Sequence, residues 1–384
     1  MDYRGTVLVV DDELGPRESL RMILKPAYEV FAAANGTDAL HSLRTHKIDL
    51  VTLDLRMPGI PGIEVLKEIK KAGNDVEVII VTGFGSLTNA VEAIRYGAVD
   101  FISKPFNVAE ILSIVSKSME RRSFNLKMKN LLQKIKTLHL HGPEGMEEAL
   151  TNLEKSLVAS PSESCQIKKD LYESLNPFNS FPFPKIAVNC MDFFKVLVYI
   201  LESKEPYTYG HSERVSFYAE TIAQDLSLTA EEKGNLQLAT LLHDIGKIGL
   251  SNRLLEKTNL SEDENLDIRR HPIKGVHLIE PLSFPADITS AIRHHHERWD
   301  GKGYPDGLAG KEIPLLARII ALVDSYDAMT SDRPYRAELD FHNVQEEIVK
   351  NSGVQFDPEI VSIFAKHFHN GAVRAPIASA PYSN

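Results

Sequence analysis

The sequence predicts a multidomain chain: an α/β doubly wound, five-stranded parallel sheet followed by an all-α helical bundle. Three observations predict it. Over about the first 120 residues, short runs rich in Val, Ile and Leu alternate with amphipathic stretches. Beyond residue 190 these runs fade and long helical patterns take over. A length of 384 residues also exceeds what one ordinary core accommodates.

The expected strands are TVLVV (6–10), YEVFAA (28–33), DLVTLD (49–54), VEVIIVT (76–82) and VDFI (99–102), each followed by a helical pattern such as SLRMIL or GIEVLKEIKKA. Apolar strands interleaved with helices mean a parallel sheet covered on both faces, with its sites at the C-terminal strand ends. Residues 4–122 form this unit. Residues 123–189 follow as a helical stalk and variable linker: SKSMERRSFNLKMKNLLQKIKTLHL extends the last helix, and three prolines in NPFNSFPFP exclude regular structure. The patterns MDFFKVLVYILESK, SERVSFYAETIAQDLSL, KGNLQLATLLHDIGKI and LLARIIALVDSYDAMT place the bundle in residues 190–370. The tail, 371–384, is expected to be disordered.

A net charge of -10 argues against sequence-independent nucleic-acid binding, although a local cation cluster still admits a small anion. No apolar run reaches the roughly 18 residues a membrane insertion needs, and the N-terminus lacks a signal-peptide pattern. Cys165 and Cys190 are too few for a disulfide framework, so a reducing cytoplasm is the expected location.

Asp11 and Asp12 directly follow strand one, and Asp54 ends strand three. In the predicted fold these carboxylates converge, and a hard divalent cation such as Mg²⁺ relieves their repulsion. Thr82 ends strand four and Lys104 follows strand five, so acids, hydroxyl and cation together can accept a phosphoryl group. On these residues the first domain resembles a response-regulator receiver domain. That resemblance implies Asp54 as phosphoacceptor, Mg²⁺ on Asp12, Asp54 and the Arg56 carbonyl with Asp11 nearby, phosphoryl contacts from Thr82 and Lys104, and Phe101 as the switch aromatic. It also implies a sensor histidine kinase as partner.

In LATLLHDIGKIGL, His243 and Asp244 interrupt an apolar helix, and Lys247, four residues after His243, is expected on the same helix face. Further candidates are His211, His271, the triplet His294 to His296, and Asp324. Imidazole and carboxylate donors spread over several helices suit Fe, Mn, Zn, Ni or Co. That number of donors favours two metals over one, a standard device for phosphoester hydrolysis. Of the three adjacent histidines, helical geometry allows either neighbouring pair on one face.

The ordered string HD...HP..G...HHE..DG.GYP...D..DA.TSDRPYR resembles the HD-GYP branch of the HD-type phosphohydrolases, which act on cyclic di-GMP. The resemblance implies metal ligands at His211, His243, Asp244, His271, His295, His296 and Asp324, with Asp244 bridging two metals. It implies catalytic roles for Asp244 and for Lys247, which would neutralise the scissile phosphate. Substrate contacts fall on Lys247, Tyr304, Arg333 and Arg336. Some members bind a third metal through a glutamate four residues before the first histidine; here that position is Tyr207, and Glu205 does not replace it. Two metals are therefore expected. Glu297, Trp299 and Asp300 belong to the motif without needing to touch substrate: Trp299 reads as packing, and Asp300 as a cap of the GKGYP loop. The resemblance leaves two alternatives, a non-catalytic cyclic di-GMP adaptor docking GGDEF-type or other signalling proteins, and an enzyme for another cyclic dinucleotide. The stalk and receiver suggest a homodimer.

Overall fold

Alternate side chains of β1 (Thr6–Val10) enter two different cores: Leu8 and Val10 join one, Val7 and Val9 the other. Such a strand is covered on both faces, which is why it reads as an unbroken apolar run. The computed structural model describes residues 4–72, 75–83, 92–138, 146–156, 190–202, 210–255, 257, 259–331 and 340–368. With β2 (Glu29–Ala33), β3 (Leu50–Leu53), β4 (Glu77–Gly83) and β5 (Asp100–Lys104), β1 forms a five-stranded sheet in the order β2-β1-β3-β4-β5, every pairing parallel. The order reverses beside β1, so the crevice opens where β1 and β3 end, next to Asp11 and Asp54.

Helices α1 (Leu14–Leu24), α2 (Gly36–Thr45) and α3 (Gly62–Lys71) connect the strands. Residues 92–95 are helical where the fourth connecting helix is expected. The last helix, α4 (Val108–Thr137), packs Ile111 and Val115 into one of the two sheet cores and continues without a break through the predicted stalk. Chain contacts separate a first unit, Met1–Lys129 with Ser156–Ile167, from a second, Asn130–Lys155 with Lys168–Asn384.

The second unit is helical: α5 (Met146–Ser156), α6 (Cys190–Glu202), α7 (His211–Ala223), α8 (Ala230–Leu242), α9 (Glu262–Arg269), α10 (His271–Ile279), α11 (Ala286–His294), α12 (Leu315–Thr330), α13 (Phe341–Lys350) and α14 (Pro358–His367). Capping boxes set where α8 and α9 start, Thr229 with Glu232 and Ser261 with Glu264. Helix α7 packs on α8 and α12, and α11 packs on α8, α10 and α12. The five helices that carry or lead into the expected ligands, α7, α8, α10, α11 and α12, are thus one connected set of packed neighbours. None of the described helices is long and apolar enough to cross a membrane. The expectations for 157–189, Tyr207, Glu205, Arg333, Arg336 and 371–384 lie outside the described residues.

One local expectation is corrected. Helix α8 stops at Leu242 instead of running through HDIGKI, and a 3-10 turn, Ile245–Gly249, follows. The cause is close packing: a Cβ on Gly246 would collide with the His271 carbonyl and the Gly275 amide of α10. His243 and Lys247 therefore do not share a helix face, and Lys247 instead donates to Asp244 three residues earlier, Nζ to Oδ2 at 2.6 Å.

Candidate metal centre

The helix ends of the second unit deliver the donors. His211 opens α7 after Gly210 at φ 70°, a left-handed conformation that suits glycine. His243 and Asp244 follow the end of α8, His271 opens α10, and His295 and His296 follow the end of α11. Asp324 lies within α12.

Three histidines share one orientation device. His243 Nδ1 faces the Thr240 carbonyl at 2.7 Å, His271 Nδ1 the Ile268 carbonyl at 2.8 Å, and His295 Nδ1 the Ile292 carbonyl at 2.7 Å. Nδ1–H donates to a carbonyl three residues back, which leaves Nε2 free to act as a lone-pair donor toward the centre. His211 uses a carboxylate for the same purpose: its Nδ1 lies 2.7 Å from Asp327 Oδ2, and Arg214 grips Asp327 through Nε and Nη2 at 2.7 and 2.9 Å. Asp327 is 1% exposed and was missed by the sequence reading. Its signal was the spacing DSYD, which puts Asp324 and Asp327 about one helical turn apart.

Two donor sets result. One is Asp244, His271, His295 and His296; the other is His211, His243 and Asp244. Asp244 belongs to both, with Oδ1 3.1 Å from His271 Nε2 and Oδ2 3.9 Å from His211 Nε2. Asp324 Oδ1 adds a further oxygen 3.3 Å from His211 Nε2.

The electrostatics match a cation site. Burial pushes His243 and His295 below the usual imidazole range and His296 down to about 3, so these rings favour the neutral, metal-binding form. Burial also disfavours a charged His211, but hydrogen bonds to Asp324 and Asp327 outweigh it and lift its pKa to about 10. Burial works against the Asp244 charge, yet Lys247, His243 and His271 hold it well below the ordinary carboxylate value. One observation tests the fit of a metal directly: His243 Nε2 is fully buried with no hydrogen-bond partner. An orphaned buried nitrogen costs about 1–3 kcal/mol unless something coordinates it, and the acids beside it make that something a cation.

His294 is set apart from its neighbours. Its Nδ1 faces the Ser290 carbonyl at 2.9 Å and its Nε2 faces Asp306 Oδ2 at 2.9 Å, away from both donor sets. The GKGYP loop is folded back on the preceding turn. Glu297 Oε1 accepts the Asp306 and Gly307 amides at 2.7 and 3.0 Å, and Asp300 Oδ1 accepts the Lys302 amide at 3.1 Å. Glu297 is therefore the main cap of the loop, with Asp300 in a lesser share. A Cβ on Gly303 would collide with the Arg298 amide and Glu297 Cα, which explains the glycine. Tyr304 stacks on His296, ring centroids 4.8 Å apart at 30°.

In the first unit Lys104 Nζ bridges Asp11 Oδ2 and Asp54 Oδ2, each at 2.7 Å. Burial raises the Asp11 pKa, while for Lys104 the hydrogen bonds to the two acids outweigh burial and raise its own. The three acids gathered closely enough to share a cation are Asp11, Glu13 and Asp54. Asp12, expected among them, is exposed and outside that set. Thr82 is buried, and Phe101 is exposed at 40%.

The chain thus carries a parallel sheet with a lysine-bridged acid pocket and, further along, a helical bundle with two histidine and aspartate donor sets. The response regulator receiver domain family matches residues 7–116, and the HD domain family matches residues 195–360. A cyclic di-GMP phosphodiesterase of Thermotoga maritima is 30% identical over 94% of this chain and 90% of its own length. The cyclic di-GMP phosphodiesterase response regulator RpfG of Xanthomonas campestris pv. campestris is 29% identical over 94% of this chain and 87% of its own. A 3'3'-cGAMP-specific phosphodiesterase 3 of Vibrio cholerae is 38% identical over 44% of this chain and 36% of its own length. The chain belongs to the family of cyclic di-GMP phosphodiesterase response regulators, in which a receiver domain precedes an HD domain.

Proposed function

We propose that this chain hydrolyses a phosphodiester bond of cyclic di-GMP, to pGpG, GMP or both, at a binuclear metal centre under the control of Asp54 phosphorylation. The observation that carries the reading is Asp244, common to both donor sets and hydrogen-bonded to Lys247. Two divalent metals, Fe or Mn by preference and Zn, Ni or Co as alternatives, would be held by His211, His243, Asp244, His271, His295, His296 and Asp324. When bound, such a pair supplies Lewis-acid activation of water and of the phosphodiester. Asp244 has two carboxylate oxygens and would offer one to each set. Lys247 Nζ, which donates to Asp244 Oδ2, would turn to a scissile phosphate oxygen and neutralise its developing charge. Tyr304 would wall the substrate on the His296 side, and Arg333 and Arg336 would hold phosphate.

In the receiver, Asp54 would take the phosphoryl group with Mg²⁺ on Asp11, Asp12 and Asp54, and Lys104 would pass from the carboxylates to the phosphoryl oxygens. Thr82 and Phe101 would report the change. The partners proposed are cyclic di-GMP, a cognate sensor histidine kinase, GGDEF-type or other signalling proteins and a second copy of the chain, in a bacterial cytoplasm. Cyclic GMP-AMP is a second substrate reading, raised by the 38% identity to the Vibrio cholerae enzyme over 44% of this chain, which a cyclic di-GMP phosphodiesterase of Pseudomonas aeruginosa equals with 39% over 43%. Turnover of both dinucleotides by purified protein, with product identification, tests the proposal. Asp244→Ala should abolish hydrolysis, and retained turnover would refute the assignment.

A further inference from the structure

Beside His296 lies a pocket of about 160 Å³ whose lining includes Arg269, Lys302, Tyr304, Ser325 and Gln355. Its chemistry is decided by a stack of three groups. The Arg269 guanidinium carbon sits 4.5 Å from the Tyr304 ring centroid, and His296 stacks on the same tyrosine with ring centroids 4.8 Å apart. A ring engaged by both neighbours is a poor platform for a nucleobase. What Tyr304 does instead is engage the Arg269 guanidinium in a cation–π contact, which leaves the guanidinium N–H groups to donate to a ligand.

The cations here are open. Neither Arg269 nor Lys302 forms an ion pair with a carboxylate among the described residues, whereas Arg298, the third cation of the pocket, is taken by Asp300 and Gln355. In a chain of net charge -10, two uncommitted cations beside a metal-type centre call for an anion. A cyclic dinucleotide carries two phosphodiesters, and only one can be at the Asp244 and Lys247 centre at a time.

We infer that this pocket is a subsite for the phosphate that is not being cleaved, with Arg269 as its main donor, Lys302 as its second, and Tyr304 positioning Arg269. The inference rests on the phosphodiesterase reading above and adds residues that the motifs did not single out. A charge-assisted contact made equally in ground and transition states acts on KM.

The test compares cyclic di-GMP with bis(p-nitrophenyl) phosphate, a diester with a single phosphate, on the full-length, metal-loaded protein. Arg269→Ala should raise KM for cyclic di-GMP about tenfold, and lower the ratio of kcat/KM for the dinucleotide over that for the simple diester by a similar factor. Arg269→Lys, which keeps the charge and loses the fork, should fall between, and Lys302→Ala should shift KM in the same direction by less. A KM change under about twofold, or an equal loss on both substrates, overturns the subsite while leaving the phosphodiesterase reading intact. If the wild-type chain hydrolyses neither substrate, that reading falls and the subsite with it.

Discussion

Replacing Asp327 by Asn probes how the His211 side of the centre is held. The carboxylate is 1% exposed, accepts from His211 Nδ1 at 2.7 Å and pairs with Arg214 through two contacts at 2.7 and 2.9 Å. Asn keeps the shape and an acceptor oxygen but removes the charge. A hydrogen bond to a charged group contributes about 1.5–3 kcal/mol, and outer-shell losses of this kind lower metal affinity by about 10- to 100-fold. Since Asn still accepts, the lower end, about tenfold, is the expectation for the set containing His211. The set of His271, His295 and His296 should keep its affinity, because its rings are oriented by backbone carbonyls or by Tyr304. Competition against a chromogenic chelator at two metal concentrations reads both affinities, with circular dichroism to establish folding. Breaking the buried Arg214 pair also lowers global stability, so the titration belongs at 25 °C on protein shown to be folded. Equal weakening of both sets, or affinities within about twofold of wild type, would refute the orienting role.

Other perturbations separate neighbours. His294→Ala should retain most turnover, whereas His295→Ala and His296→Ala should each lose most of it, because only the latter two face Asp244 and its partners; steady-state rates of the three variants decide this. Gly246→Ala forces a Cβ onto the α10 backbone and should destabilise the chain by about 1–3 kcal/mol in denaturant titration, with weaker metal binding as α10 carries His271. Asp54→Asn should abolish labelling by acetyl phosphate, measured on phosphate-affinity gels; labelling that persists would move the phosphoacceptor elsewhere.

How much of this was legible follows from what each signal encodes. The strands were readable because burial on both faces makes them near-continuous apolar runs, and observed boundaries differ from expectation by no more than two residues, as at VDFI against Asp100–Lys104. His211, His243, Asp244, His271, the triplet His294 to His296 and Asp324 stand out in the sequence because a His or Asp within or beside an apolar helical pattern needs a partner, while choosing His295 and His296 within the triplet took the family resemblance. The end of α8 was not, since it depends on the approach of Gly246 to the α10 backbone, a contact between residues distant in sequence. Asp327 was hidden because an acid three residues after another reads as helix surface until Arg214 and His211 are seen to enclose it. The capping role of Glu297 was hidden for a related reason: its partners, the Asp306 and Gly307 amides, are backbone atoms of a loop whose path a sequence does not disclose.

The central claim is that one carboxylate, Asp244, joins two metal sets into a single hydrolytic centre. The most direct measurement loads metal-free protein stepwise with Mn²⁺ or, without oxygen, Fe²⁺, and follows bound metal and cyclic dinucleotide hydrolysis in the same sample. The account predicts activity that requires the second equivalent per chain and saturates there, with Asp244→Ala losing both the second equivalent and the activity. Two equivalents bound without hydrolysis of either cyclic di-GMP or cyclic GMP-AMP, or full activity at one equivalent, would contradict it.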